Sequence, residues 1–241
     1  MLREAIQYIV SLSEPTIQNI GDQSYTDRDM KRVSYNPKAD VIKMNTLSSL
    51  VDYIKSGVDD MKGEMIVHVT SPTEVALYSS LDDERIREQI VNVKAVVPDF
   101  SFDRYIDHEM FCINLQSKFI DDNKKSDLPL LLKFAGTVES GSVANYGDDG
   151  VTQKATVKTG IASKGDAIVP NPVHLKAYRT FIEVEQPMSD YVFRMRQDSV
   201  GGVQCALFEA DGGAWRITAM KNIVKYLDDS LCGVDGFTVI S

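Results

Sequence analysis

Residues 189–209 read SDYVFRMRQDSVGGVQCALFE, and this stretch decides the fold class. Tyr191, Phe193 and Met195 alternate with Val192, Arg194 and Arg196, the period of two by which a strand buries one face and wets the other. After Gly201-Gly202 a second strand-like run, VQCALFEA, follows at once, so the two segments predict an antiparallel pair with Tyr191, Phe193 and Met195 in the core. Arg194 and Arg196 then project together from the opposite face.

Working upstream, TFIEVEQP is a further strand candidate, closed by Pro187-Met188-Ser189-Asp190. LLLKFAGTVESGSV and VTQKATVKTG also read as strands with one face in water, joined by a glycine-rich turn from Tyr146 to Gly150. Downstream, Met220, Ile223, Val224, Leu227 and Leu231 recur at helical spacing, which predicts a C-terminal helix packed on the sheet.

The first half mixes both periods. Ala5, Ile6, Ile9 and Val10 suggest a helix, followed by a polar connection through Tyr35 and Pro37. Thr46 stands before Leu47, Leu50, Val51 and Ile54, a capped amphipathic helix that Gly57 should end. Met65, Val67 and Val69, then Val75 and Leu77 beyond Ser71-Pro72, predict a hairpin, and VNVKAVV a third strand before Pro98. The charged stretch from Asp82 to Ile90 looks helical. Asp107 is an N-cap candidate for a helix carrying Met110, Phe111, Ile113, Leu115 and Phe119.

The class is therefore α+β: an antiparallel sheet-rich C-terminal half packed by a C-terminal helix, and a mixed helix and strand N-terminal half. Residues 1–45 form an N-terminal helix and irregular arm, 46–231 a single compact domain with a lobe division near Ser126, and 232–241 a tail or short strand.

The 241 residues are 43% hydrophobic and 25% charged, ordinary for a globular chain with one substantial core. No apolar run approaches the roughly 20 residues that span a bilayer, so no membrane is expected. Three cysteines, Cys112, Cys205 and Cys232, are odd in number and lack C-x-x-C spacing, which points to a reducing cytoplasm. The net charge of -9 opposes non-specific duplex binding through the whole-molecule field.

Candidate chemistry is sparse. His68, His108 and His174 have no ligand spacing, so no metal or cofactor is expected. Gly147-Asp148-Asp149-Gly150 sets two carboxylates side by side, a pattern that turns recruit for their own backbone. Asp211 with Gly212-Gly213 closes a strand before the last helix and matches no nucleotide fingerprint. Arg194 and Arg196 on one sheet face, with Lys176 and Arg179 upstream, form the set suited to clamp an anionic ligand; cross-sheet pairing with Glu183 and Glu185 is the structural alternative.

The blocks GDDGVTQKATVKTGIASKGDAIVPNPVHLKAYRTFIEVEQPMSDYVFRMRQ and CALFEADGGAWRITAMKNIVKYL resemble the YfdQ-like family encoded by bacteriophages and prophages. The resemblance also takes in VTSPTEVALYSSLDDERIREQIVNVKAVVPDF and INLQSKF, from about Leu47 to Leu231. It implies a viral protein made in the bacterial host cytoplasm, and it supplies no catalytic residues.

The expectation that follows is a non-enzymatic binding protein and homo-oligomer that antagonises host defence. It would sequester a small anionic, nucleotide-like signal or block a host defence protein. The alternative is an accessory factor for single-stranded DNA in phage recombination or replication, disfavoured because alternation sets Tyr191 and Phe193 opposite Arg194 and Arg196. A metal-dependent enzyme using Asp148, Asp149 and Glu183, and a capsid or tail component, rank lower.

Overall fold

The computed structural model describes residues 2–11, 15–20, 23–27, 38–61, 63–82, 85–122, 125–137, 154–158 and 164–241. Two compact units divide after Ala39. In the first, helix α1 (Leu2–Ser11) is followed not by irregular chain alone, as the polar sequence suggests, but by a hairpin of β1 (Ile17–Ile20) and β2 (Gln23–Thr26) that pairs Ile17 with Thr26. Leu2, Ile6, Ile9, Ile17 and Ile20 are all exposed, and no described side chain of this unit is buried.

The second unit opens with β3 (Ile42–Met44), α2 (Leu47–Ser56), β4 (Met65–Ser71), β5 (Glu74–Tyr78) and β6 (Gln89–Lys94). It continues through β7 (Ile106–Asp107), α3 (His108–Lys118), α4 (Leu128–Thr137), β8 (Lys154–Lys158), β9 (Lys164–Ile168) and β10 (Val173–Leu175). It ends in β11 (Ser189–Gln197), β12 (Val203–Glu209), α5 (Ala214–Ser230) and β13 (Phe237–Ile240). The class is α+β as the sequence predicts, with an antiparallel sheet and a C-terminal helix in the C-terminal half.

A five-stranded sheet runs β13-β4-β5-β6-β3, with both edge strands parallel to their neighbours and the centre antiparallel. Alternation in β4 sends Met65, Val67 and Val69 inward, where they meet α2 and α5. Helix α2 forms as its sequence dictates. Thr46 Oγ1 accepts from the Ser49 amide at 3.2 Å, Leu47, Leu50, Val51 and Ile54 are buried, and Gly57 ends the helix at φ 58°. Helix α5 lays Ile223 and Leu227, with its C-cap Leu231, into this same core, so it packs on the five-stranded sheet and not on the C-terminal antiparallel sheet that the sequence predicts for it.

A four-stranded antiparallel sheet, β10-β11-β12-β7, has the second core on one face. Tyr191, Phe193 and Met195 are buried there with Cys205 and Leu207. Helices α3 and α4 cover them: Phe111 stacks on Phe193 with centroids 5.5 Å apart, and Phe134 meets Phe193 edge-on. Asp107 caps α3 by accepting from the Glu109 and Met110 amides.

Three further local expectations are corrected. LLLKFAGT is the body of α4, not a strand: its apolar run fits either period, and Leu128, Leu131 and Ala135 at helical spacing reach the core while Leu130 stays 55% exposed. The described residues of Asp82 to Glu88 form no helix. They have no apolar stripe to bury, and Asp82 ties them into a turn through bonds from the Arg85 and Ile86 amides. TFIEVEQP is not a strand either. The buried Gln186 side chain accepts from the Arg179 and Thr180 amides at 2.9 and 3.1 Å and donates to the carbonyls of Phe181 and Val184. One side chain thus satisfies the backbone that a neighbouring strand would otherwise pair.

Candidate functional site

The Gln186-braced loop drives Phe181 and Val184 into the first core and carries Arg179 across toward the second sheet. Arg179 is only 7% exposed. Its Nη1 donates to Glu209 Oε1 on β12 at 2.6 Å, and its Nη2 donates to Ser189 Oγ on β11. The guanidinium lies 4.0 Å from the Trp215 ring centroid and about 5.5 Å from the rings of Phe102 and Tyr191. Burial pulls its pKa below the ordinary arginine value, opposed by Tyr191, Glu209 and Asp211. Burial likewise raises the Tyr191 phenol, against the pull of Arg179.

Trp215 is placed by the first turn of α5, where Gly213 holds φ 83° and a side chain at that position would strike the Arg216 guanidinium. Asp211 binds the Gly213 amide at 2.9 Å and accepts the Ala214 amide on its carbonyl. Its carboxylate is therefore engaged as the turn's own cap. Arg216, 54% exposed, lies 4.9 Å from the Trp215 centroid and 3.8 Å from Glu209.

These groups border a cleft of about 410 Å³. Phe100, Phe102 and Tyr178 supply further aromatic lining, and Lys118 lies on the wall with Nζ donating to the Asp99 carbonyl. Three cations, Lys118, Arg179 and Arg216, line the wall with two carboxylates, Asp99 and Glu209, and the Asp211 carboxylate acts on Arg179 from beside them, so cations and acids are close to balance. Arg179 Nε and the Trp215 indole N–H are buried with no acceptor among the described residues. The site is rich in donors and aromatic faces and short of acceptors.

The four residues suited by sequence to clamp an anion are not gathered together. Arg179 lines the cleft with both terminal nitrogens engaged by the protein. Lys176 pairs with Glu185 at 3.0 Å and lies 3.6 Å from Asp122. Arg194 and Arg196 sit on the far face of the four-stranded sheet, where Arg196 Nε donates to Gln204 at 2.8 Å. Glu183, weighed as their partner, instead receives the Ser48 amide at the start of α2. Sequence reasoning missed Trp215, Arg216 and Lys118, although an exposed arginine beside the chain's single tryptophan at a helix start was a readable signal.

Other chemistry is bounded by contacts. Cys112 Sγ lies 3.8 Å from His108 Nε2, but that nitrogen is 2.6 Å from the Ala135 carbonyl, which can only accept. That nitrogen is thus engaged by the backbone and not by the thiol, whose pKa burial and Asp107 raise. Among the described residues no group of three or more His, Cys, Asp or Glu is placed to hold a metal ion. The Gly147–Gly150 turn with Asp148 and Asp149 lies outside the described residues. No helix among them is long and apolar enough to cross a membrane.

Comparison with known proteins returns no matching family model, no similar curated protein and no matching solved structure.

Proposed function

We propose that this chain is a non-enzymatic binding protein that holds a small, planar, anionic ligand of nucleotide type in the cleft between Lys118, Arg179 and Trp215. The carrying observation is a cleft that combines aromatic lining with the exposed Arg216 guanidinium and the Lys118 ammonium on its wall. A ring stacks on the aromatic faces while its phosphate or carboxylate meets the side chains of Arg216 and Lys118. Arg216 and Lys118 are the anchoring charges. Arg179, already bound to Glu209 and Ser189, positions Trp215 and shapes the cleft.

The volume, about 410 Å³, suits a small molecule better than a protein surface, which favours sequestering a ligand over blocking a defence protein. The resemblance to the YfdQ-like family adds the biological half of the proposal: a phage-encoded homo-oligomer that withdraws a host signalling nucleotide in the bacterial cytoplasm.

Calorimetric titration with a panel of linear and cyclic nucleotides tests the cleft. At least one should give saturable heat, and Arg216→Ala should weaken it about tenfold, the order of one lost charge-assisted bond. No heat from any member, or binding indifferent to Arg216→Ala and Lys118→Ala, overturns the reading.

A further inference from the structure

We infer that the outer face of the four-stranded sheet is a second binding surface, one that takes single-stranded nucleic acid. Helices α3 and α4 pack on the inner face with Phe111, Leu115 and Leu131, so the outer face is left without a covering helix among the described elements. On β11 the outward positions are Val192, Arg194 and Arg196; their register partners on β12 are Phe208, Ala206 and Gln204.

The next strand adds an aromatic that alternation within one hairpin does not reveal. Cys205 opposes Ile106, and both turn inward, so Tyr105 turns outward beside Phe208. The two rings meet edge-to-face with centroids 5.9 Å apart. The Arg196 guanidinium lies 4.2 Å from the Tyr105 centroid. Its Nε is held by Gln204, and its terminal nitrogens have no partner among the described residues. Tyr105, Phe208 and Arg196 therefore share this face, which removes the geometric objection that Tyr191 and Phe193 raise from the sequence.

Antiparallel sheets with helices on one side and aromatics on the other recognise single strands by stacking bases on the rings while arginines meet the phosphates. A duplex cannot use such a face, because its bases are already stacked. The neighbouring carboxylates are engaged: Asp190 contacts His174 Nδ1 at 2.6 Å, and Asp107 accepts the first amides of α3. Although the chain carries a charge of -9, the Debye length of about 10 Å at 0.1 M salt screens distant acids and leaves contact pairs standing.

Fluorescence anisotropy with labelled oligothymidylate and oligouridylate of about 12 nucleotides tests the surface on the full chain in about 0.1 M salt. The wild type should bind, and Arg196→Ala and Tyr105→Leu should each weaken binding about tenfold, the scale of one lost stacked base or phosphate contact. Arg216→Ala in the cleft should leave oligonucleotide affinity unchanged, which separates this surface from the nucleotide proposal. Circular dichroism checks folding, and Arg196→Glu, exposed and tolerant, serves where Tyr105→Leu fails to fold. Absence of binding, binding insensitive to Arg196 variants, or loss through Arg216→Ala would each overturn the inference. So would a dimer that Arg196→Glu converts to monomer without any oligonucleotide binding, since the face would then be a contact between copies.

Discussion

Arg179 and Arg196 lie at nearly equal distances from an aromatic ring, 4.0 Å from Trp215 and 4.2 Å from Tyr105, yet burial gives them different work. Arg179 is 7% exposed, and Glu209 and Ser189 occupy its terminal nitrogens. A charge removed from water must be satisfied by the protein itself, so its value is in holding loop, sheet and helix in one arrangement. Arg196 keeps its solvent and its terminal nitrogens, which leaves it able to meet a partner at little cost. The same side chain over the same kind of surface is thus a buried brace in one place and a solvent-facing group in the other.

The comparison breaks most visibly at the brace. Arg179→Met should lower stability by about 3 kcal/mol, because it strands Glu209 and opens the stack on Trp215. Glu209 keeps 22% exposure, which holds the loss at the low end for a broken buried pair. Denaturant unfolding reads it, and an unchanged midpoint would place Arg179 among the exposed arginines in energetic terms. Gln186→Leu should cost about 2 kcal/mol through the orphaned amides of Arg179 and Thr180, and should loosen the loop that delivers Arg179.

A smaller effect is expected on the alkaline side. Burial raises the folded-state pKa of Tyr191, so its contribution is complete below the ordinary tyrosine value of about 10 and is lost as pH climbs beyond it. Thermal midpoints should fall with rising pH in that range, and Tyr191→Phe should flatten the fall. The smallest change belongs to Arg196→Ala, which should move stability by no more than about 0.5 kcal/mol, as exposed substitutions do. A larger loss would mean that the Tyr105 stack stabilises the sheet.

The two hairpins and the capped helices were legible because their signals are local. Thr46 and Gly57 bracket α2, Asp107 starts α3, and alternation alone sent Tyr191, Phe193 and Met195 inward. Misreadings fell where a short apolar or mixed run fits more than one period. Leu128–Thr137 became a helix because the core had room for one stripe of it, and 181–187 stayed irregular because Gln186 took over the backbone bonding. In the candidate site, Arg179 was singled out by charge type, while Lys118, Trp215 and Arg216 come from separate elements whose meeting no spacing encodes.

From the sequence by itself came the α+β class, the caps of α2 and α3 and the alternating core of β11. Only the tertiary structure decided that Ile223 and Leu227 pack in the core of the five-stranded sheet, that Arg179 is buried against Trp215, and that Tyr105 shares a face with Arg196. The physical reason is range. Periodicity and capping act over a few residues, whereas strand order, which face a helix covers and which charges lose their water are set by contacts between segments far apart in the chain.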